Sequence, residues 1–432
     1  ARNPAGRLER PLGAMGVMLS TPVELVRVQR HGTSSFRCGV AEMQGWRNNH
    51  EDAHSMQFAA HPSGKQGSFW VLDGHGGDGC ANHCASKLAE QVASGAEGST
   101  MSSDPHITSA FPRVDSDFRA YVRDNPEKDS GSTVTGALIS KQDDGTYSAK
   151  LINCGDSRGL LVRDPAEEEA GQKAFSVRMP PHLASGWGGA PPAQPWPLIA
   201  ETVDHKPNFP TEKARIEAAG GFITNEEPSR LDGNLAVSRG LGDFEYKGDP
   251  NREPGDQKVS CIPDIYEVSG LRPGSLCILA CDGLWDVMKG ERVASFVRDW
   301  LKRDPGVDLA EICTKLIRMS LELNSRDNVT CMIIHMVDGS EWSQKSNRFN
   351  NSDEMLHFDK LQQDAHLDED VRKQYNTFLR KCSFQATPQV CSISGRWFSS
   401  MWLCPTSGKI YSTRSCQKKG WSRYKAQQAE LG

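Results

Sequence analysis

Two aspartates at the ends of apolar runs are the first residues of this sequence that could do chemistry together. Asp73 directly follows the apolar run 69–72, and Asp282 directly follows the run 276–281. Both precede a glycine, which lets backbone and ligand approach closely. Short apolar runs predict buried strands, and strand ends can converge. We therefore expect the two carboxylates to share one site.

Asp156 and Asp327 extend this pattern. Asp156 lies in the turn 155–157, and Asp327 lies just before an apolar run that begins at Val329. Carboxylate oxygens are ligands that Mg²⁺ and Mn²⁺ prefer. Two such ions can together deprotonate a water and neutralise charge on a phosphoryl group. A single Asp before Gly is usually only a turn or cap residue, so the prediction of a metal site depends on the four occurring together.

Composition sets the class of protein in which such a site would lie. The chain has 432 residues, of which 37% are hydrophobic and 24% charged, as expected for a globular protein with a sizeable core. A net charge of -5 argues against a dedicated nucleic-acid binder. The thirteen cysteines show no paired spacing and predict a reduced setting in the cytoplasm or nucleus. No segment has the apolar length of a membrane span or the pattern of a signal peptide.

Apolar runs alternate with amphipathic segments from about Phe36 to Val337 and predict one domain of mixed strands and helices. Helical spacing of apolar residues predicts helices over 293–301 and 309–317. A further helix is predicted over 211–219, because two glycines follow it. The predicted strands are 69–72, 151–154, 159–162, 276–281 and 329–337.

These patterns divide the chain into an N-terminal segment (1–35), a catalytic domain (36–338) and two C-terminal parts. Within the domain, the proline- and glycine-rich residues 164–200 predict a surface insertion without chemistry. Residues 339–381 show helical spacing, beginning at Leu356, and predict an accessory helical region. Residues 382–432 lack periodicity and predict a poorly ordered tail.

A series of motifs within 36–337 then identifies a family. They occur in one order: QGWR at 44–47, EDAH at 51–54, DGHGG at 73–77, SGST at 130–133, NCGDSR at 153–158, DHKP at 204–207, EAAGG at 217–221, AVSR at 236–239, GD at 242–243, CDGLWD at 281–286 and DN at 327–328. In this order the motifs resemble the type-2C metal-dependent serine/threonine protein phosphatases, the PPM family. The resemblance implies an α+β fold, a four-layer α/β/β/α sandwich of two antiparallel sheets flanked by helices, with a metal cleft at one end. The helical region after 339 would form a C-terminal extension.

The resemblance also implies the ligands of two core ions, Mg²⁺ or Mn²⁺, and of a weaker third ion. Asp73 would bridge the two core ions. Asp156, together with Asp282, would hold the third ion. The implied metal ligands are Glu51, Asp73, the Gly74 carbonyl, Asp156, Asp282 and Asp327.

Two further residues receive catalytic roles from the resemblance. Arg47 would grip the substrate phosphate with its planar guanidinium. His75 would protonate the leaving serine or threonine oxygen. Either residue alone would be an ordinary surface side chain. The implied reaction is hydrolysis of phosphoserine or phosphothreonine by direct attack of a metal-bridging water or hydroxide, on phosphoprotein substrates and by a monomer. Asp52, Asp204 and Asp243 are expected to organise loops and neighbouring strands without touching metal.

Two other functions compete with this one. Residues 50–54 spell the His-Glu-x-x-His signature of zinc proteases, which requires both histidines on one helical face. Asn48 and Asn49 before the motif are poor helix formers, and the residues after it alternate as in a strand. A pseudophosphatase that only binds partners is the second alternative, but such proteins generally lose metal carboxylates that are present here.

The N-terminus offers a smaller hypothesis. Residues 15–20 fit the N-myristoylation pattern if Met15 is the initiator, so that Gly16 would receive the acyl chain. One acyl chain gives only marginal, reversible membrane binding. The alternative is an ordinary solvated tail, and membrane association is expected only if Gly16 is acylated.

Overall fold

Two antiparallel sheets form the centre of the structure, a computed structural model that describes residues 18–58, 65–95, 101–167, 175–185, 194–338, 352–356, 402–403, 410–411 and 421–422. Gly16 and most residues after 338 lie outside these ranges, so the predictions of acylation and of the 382–432 tail stay predictions. Among the described residues, no helix has both the length and the apolar character needed to cross a membrane.

The strands, numbered along the chain, are β1 Val23–Gly32, β2 Phe36–Gly45, β3 Ala53–Phe58, β4 Gln66–Leu72, β5 Gly74–His75, β6 Gly131–Ser132, β7 Val134–Lys141, β8 Tyr147–Cys154, β9 Arg158–Val162, β10 Ser176–Arg178, β11 Leu198–Glu201, β12 Leu241–Gly242, β13 Asp264–Leu271, β14 Leu276–Ala280, β15 Val329–Met336, β16 Ser352–Leu356, β17 Trp402–Leu403 and β18 Ile410–Tyr411. The α-helices are α1 Gly79–Ala93, α2 Asp104–Asp124, α3 Pro181–Ser185, α4 Pro210–Ala218, α5 Asp282–Trp285, α6 Gly290–Arg303 and α7 Leu309–Glu322. Single 3-10 turns lie at Pro126–Lys128 and Phe244–Tyr246.

The strands pair in two large sheets and two small ones. One large sheet has the order β11-β9-β14-β15-β2-β1-β16, and the other has the order β10-β13-β8-β7-β4-β3. Strands β12, β6 and β5 form a small third sheet, and β17 pairs with β18. Every neighbouring pair is antiparallel.

Alternation of side chains along β15 shows why the layers stack. Val329 and Ile333 pack with α6 and α7 on one face of the seven-stranded sheet. Met332 and Ile334 point to the opposite face and pack against the six-stranded sheet. The six-stranded sheet buries its outer face under α1 and α2, where Trp70 is fully buried. The order of layers is therefore helix, sheet, sheet, helix, and the predicted α/β/β/α sandwich is confirmed.

The sequence analysis missed or misassigned three elements. Strand β1 precedes residue 36 and pairs with β2, so the sheet begins inside the predicted N-terminal segment. Leu356, predicted to begin a helical pattern, lies instead in β16, which pairs with β1. Parts of the predicted insertion 164–200 belong to the sheets, because β10 pairs with β13 and β11 pairs with β9. Outside β16, residues 339–381 are not described.

Strand register brings the loops with the candidate carboxylates to one end of the sandwich. The end of β14 lies beside the start of β15, because Ala280 pairs with Cys331. In the other sheet, Val71 near the end of β4 pairs with Thr135, and β8 ends at Cys154 beside the start of β7. The loops after β4, β8 and β14 and the loop before β15 therefore lie at the same end.

A buried network of charges joins α4 to the six-stranded sheet near that end. The carboxylate of Glu212 is 1% exposed and accepts hydrogen bonds from Arg239, Arg215 and the hydroxyl of Ser238. Arg239 also donates to Asp264 at the start of β13, over 2.9 Å. Burial alone would raise the pKa of Glu212, but the two arginines lower it to about 2.

We expect Glu212→Gln to lower the free energy of unfolding by about 3–5 kcal/mol, because it leaves buried arginines without their counter-charge. The folded pKa lies below the unfolded value of 4.5, so this stabilisation is present above pH 4.5 and is lost as pH falls toward 2. The free energy of unfolding, measured with urea, should therefore fall less between pH 4.5 and 2 in the variant than in the unaltered protein. The control Glu217→Gln, which removes an exposed 3.8 Å ion pair, should change stability little. Equal losses of stability in the two variants would show that the buried network does not stabilise the fold.

Candidate metal centre

The carboxylates of Asp73, Asp156, Asp282 and Asp327, here called the aspartate cluster, interact electrostatically at this end of the sandwich. Burial raises the pKa of Asp73 well above its usual range, and repulsion from Asp282, Asp52, Asp327 and Asp156 raises it further. Asp73 is therefore a carboxylate on which the other three members of the cluster act together.

Asp282 experiences the same kind of repulsion. It begins the short helix α5 directly after β14. Burial raises its pKa well above the usual range, and Asp156, Asp327 and Asp286 add to the effect. Asp73 and Asp282 therefore resist joint ionisation unless a cation neutralises them. Oxygen donors with an excess of negative charge suit Mg²⁺ or Mn²⁺, so the residues present fit the predicted cofactor.

Glycines next to the aspartates allow the chain segments to approach this closely. A Cβ atom on Gly74 would lie 2.3 Å from the carbonyl oxygen of Glu51. On Gly283 it would lie 2.1 Å from the carbonyl oxygen of Asn328. Both distances are far inside van der Waals contact, so the Asp-Gly pairs at 73–74 and 282–283 bring the loops with the ligands together.

Arg47 follows β2 and reaches the aspartate cluster from its open side. Its Nη2 donates to Oδ2 of Asp327 over 2.5 Å, and its side chain is 50% exposed. Burial lowers the pKa of Arg47, but Asp327, Asp282 and Asp73 raise it above the usual value. The predicted phosphate-binding residue therefore lies against the predicted metal ligands and is accessible.

His75 lies two residues after Asp73, in β5, and its Nε2 is 2.8 Å from Oδ2 of Asp243. Burial lowers the pKa of His75, but Asp243 raises it above the usual value, with smaller effects from Asp156 and Glu51. The carboxylate of Glu51 accepts the backbone N–H of Gly77 over 3.2 Å. The structure thus brings His75 and Glu51 to the same region and shows that Asp243 orients the imidazole.

Three neighbours of the aspartate cluster, Lys206, Asp52 and Cys281, were not predicted to contact it. The Nζ of Lys206 lies 2.5 Å from Oδ2 of Asp156. Asp52, Asp73 and Cys281 offer ligand atoms that all lie within 4.8 Å of one another. Asp52 is therefore nearer to the centre than expected for a residue that only organises loops. The DHKP motif included Lys206 but gave no sign of its contact with Asp156, and spacing gave no signal for Cys281.

The zinc-protease alternative is not supported by the local structure. The His-Glu-x-x-His motif does not form a helix, because β3 begins at Ala53 inside it. The ring of His54 is buried between Oε1 of Glu42, at 2.5 Å from Nδ1, and Oε1 of Gln29, at 2.7 Å from Nε2. Within the described part of the chain, His50 and His54 belong to no group of candidate metal ligands.

Asn328 fixes the position of both the Arg47 loop and Glu51. Its side-chain amide donates to the carbonyl oxygens of Gln44 and Asn49, and its Oδ1 accepts the backbone N–H of Glu51. Its own backbone N–H donates to Asp327 over 2.8 Å. One buried side chain therefore connects the segment of Arg47 and Glu51 to the segment of Asp327.

Comparison with known proteins gives one family. The model of the family described as Protein phosphatase 2C matches residues 36–329. Protein phosphatase 1A from Bos taurus is 34% identical over 332 residues, which cover 74% of this chain and 76% of that protein. Protein phosphatase 1B from Bos taurus is 31% identical over 395 residues, which cover 88% of this chain and 70% of that protein.

Solved structures show the same fold. A phosphatase from Toxoplasma gondii superposes with a TM-score of 0.58 at 23% identity, covering 77% of this chain and 99% of that one. A serine-threonine phosphatase 2C from Toxoplasma gondii gives a TM-score of 0.54 at 19% identity, covering 74% of this chain and all of that one (100%).

We expect Asn328→Ala to lower the free energy of unfolding by about 1–3 kcal/mol, because the buried carbonyl group of Gln44 loses its donor and the partly buried carbonyl group of Asn49 loses another. Chemical denaturation would measure this loss. Asn208→Ala is the matched control, since Asn208 is exposed and makes one long 3.4 Å bond to Glu227. A loss in Asn328→Ala no larger than in the control would show that Asn328 does not hold the segments together.

Proposed function

Because the chain belongs to the protein phosphatase 2C family, we propose that it hydrolyses phosphoserine and phosphothreonine in proteins by direct attack of water, with Mg²⁺ or Mn²⁺ as cofactor. The observation that supports this most directly is the repulsion among the carboxylates of Asp73, Asp282 and Asp327. When bound there, two divalent cations supply an activated water and neutralise charge on the phosphoryl group. Asp73, Asp282 and Asp327, with Glu51 and the Gly74 carbonyl, would hold these ions.

Arg47 is suited to binding the substrate phosphate. Its guanidinium presents a planar fork of donors that matches two phosphate oxygens. In the structure the group bonds to Asp327 and remains half exposed, so it lies beside the aspartate cluster and faces solvent. We propose that it orients the phosphoryl group for in-line attack, since a fixed geometry lowers the barrier to displacement.

His75 is suited to protonating the leaving serine or threonine oxygen. The Asp243 carboxylate accepts the Nε2–H of His75, which fixes the ring and favours its protonated form. Nδ1 then carries the proton that can be donated. Without this proton an alkoxide would leave, and alkoxides are poor leaving groups near neutral pH.

Phosphoproteins are the substrates that the family implies. We further propose that the chain acts as a monomer inside the cell. The nine cysteines described by the structure are all free and buried, which supports a reducing compartment.

The first test is a phosphopeptide assay. We expect phosphate release that needs Mg²⁺ or Mn²⁺, stops on chelation and returns when the ion is restored. Asp282→Asn should lower kcat/KM by at least about 100-fold. Loss of a residue that only hydrogen-bonds to a metal ligand already lowers metal affinity or activity by about 10–100-fold. The control Asp143→Asn removes an exposed carboxylate that is bonded to Lys65 and should leave activity unchanged. Undiminished activity in excess chelator would contradict the proposed function.

A second test concerns the proton donor. His75→Gln should lower kcat on a phosphoserine peptide by about 10²–10⁴-fold, because glutamine can bond to Asp243 but cannot transfer a proton. On an aryl phosphate, whose phenolate leaves without protonation, the same variant should lose much less. Steady-state kinetics on both substrates would measure the difference. Equal losses would show that His75 does not act as the acid.

A further inference from the structure

Lys206 is a cationic side chain among the carboxylates to which the third ion is assigned. Its Nζ lies 2.5 Å from Oδ2 of Asp156, whose side chain is 4% exposed. It also interacts electrostatically with Asp282 and Asp286. Its ion-pair partner therefore belongs to the aspartate cluster.

The backbone holds Lys206 in this place. The neighbouring residue His205 donates its backbone N–H to the carbonyl of Gly155 over 2.9 Å, and its Nδ1 accepts the N–H of Gly155 over 3.1 Å. Its Nε2 donates to Asp264 over 3.1 Å. Lys206 and Asp156 therefore extend from two segments that are bonded to each other one residue away. This arrangement keeps the two side chains within reach of each other.

An ammonium group and a divalent cation compete for the same carboxylate oxygens. Asp156 is buried, so its charge is poorly screened by water and needs a counter-charge nearby. Lys206 provides one without any metal. Its side chain is 35% exposed and its stem is flexible, so the ammonium can move toward solvent when another cation arrives.

We propose that Lys206 is an internal cation that competes with a third divalent ion for Asp156 and thereby sets the affinity of that outer site. The inference depends on the proposed function, because the outer site adjoins the two core ions. Lys206 thus acts through Asp156, whose charge it neutralises, and does not itself touch substrate. The metal concentration at which this third site fills is therefore set by its competition with Lys206.

Calorimetric titration of the full chain with Mn²⁺ tests this inference. Removing the ammonium in Lys206→Met, or in Lys206→Gln as a second substitution, should tighten the weaker Mn²⁺ site by about tenfold or more. A nearby opposite charge shifts a carboxylate's proton affinity on this scale, by about 1–3 pKa units. Lys206→Arg keeps the charge and should leave the weaker site close to its original affinity. Adding Asp156→Asn to Lys206→Met should abolish the tightened site.

The matched control is Lys258→Met, which removes a lysine of similar exposure, 30%, that is paired with Asp232 over 2.7 Å. It should leave all Mn²⁺ affinities unchanged. If the weaker Mn²⁺ site kept its affinity or lost affinity in both Lys206→Met and Lys206→Gln, the inference would be overturned. It would also be overturned if Lys258→Met tightened the site equally, because net charge alone would then explain the effect. If the unaltered chain bound no Mn²⁺ at its two tight sites, the proposed metal-dependent function would itself fail, and this inference with it.

Discussion

Repulsion between partly buried carboxylates is the interaction on which the rest of this structure depends. Asp73 and Asp282 lie where burial and neighbouring aspartates both oppose ionisation. A fold gains nothing in stability from such an arrangement, since like charges in a poorly screened region are unfavourable. The cluster is therefore understandable as a site that binds cations, and the stability that it costs must come from the surrounding layers.

Those layers also explain how the site is held. Two sheets pack face to face, and each is covered by helices, so the strand ends that carry the aspartates are fixed by large apolar cores on both sides. Polar contacts then set the finer geometry. Asn328 ties the Arg47 loop to Glu51, while His205 ties Lys206 to the turn before Asp156. Hydrogen-bonded supports of this kind orient the groups that touch metal or substrate.

Much of the fold and most of the candidate site could be predicted from sequence, for physical reasons. Runs such as that of β14 are apolar on both faces because the strand is buried on both, so they are visible without a structure. Strand β1 was missed because Arg27 and Arg30 interrupt its apolar residues. Their guanidinium groups pair with Glu42 and Asp308, which no local pattern reveals. For the same reason, contacts such as Lys206 with Asp156 and His75 with Asp243 could not be predicted. They join residues 50 and 168 positions apart.

A crystal soaked in Mn²⁺ and measured at the manganese absorption edge tests the central claim most directly. The account predicts two anomalous peaks about 3.5–4 Å apart, with Asp73 bonded to both ions and Asp282 and Asp327 bonded to one. Absence of any peak among these three side chains would contradict it. So would manganese bound only by the neighbouring group of Asp52 and Cys281.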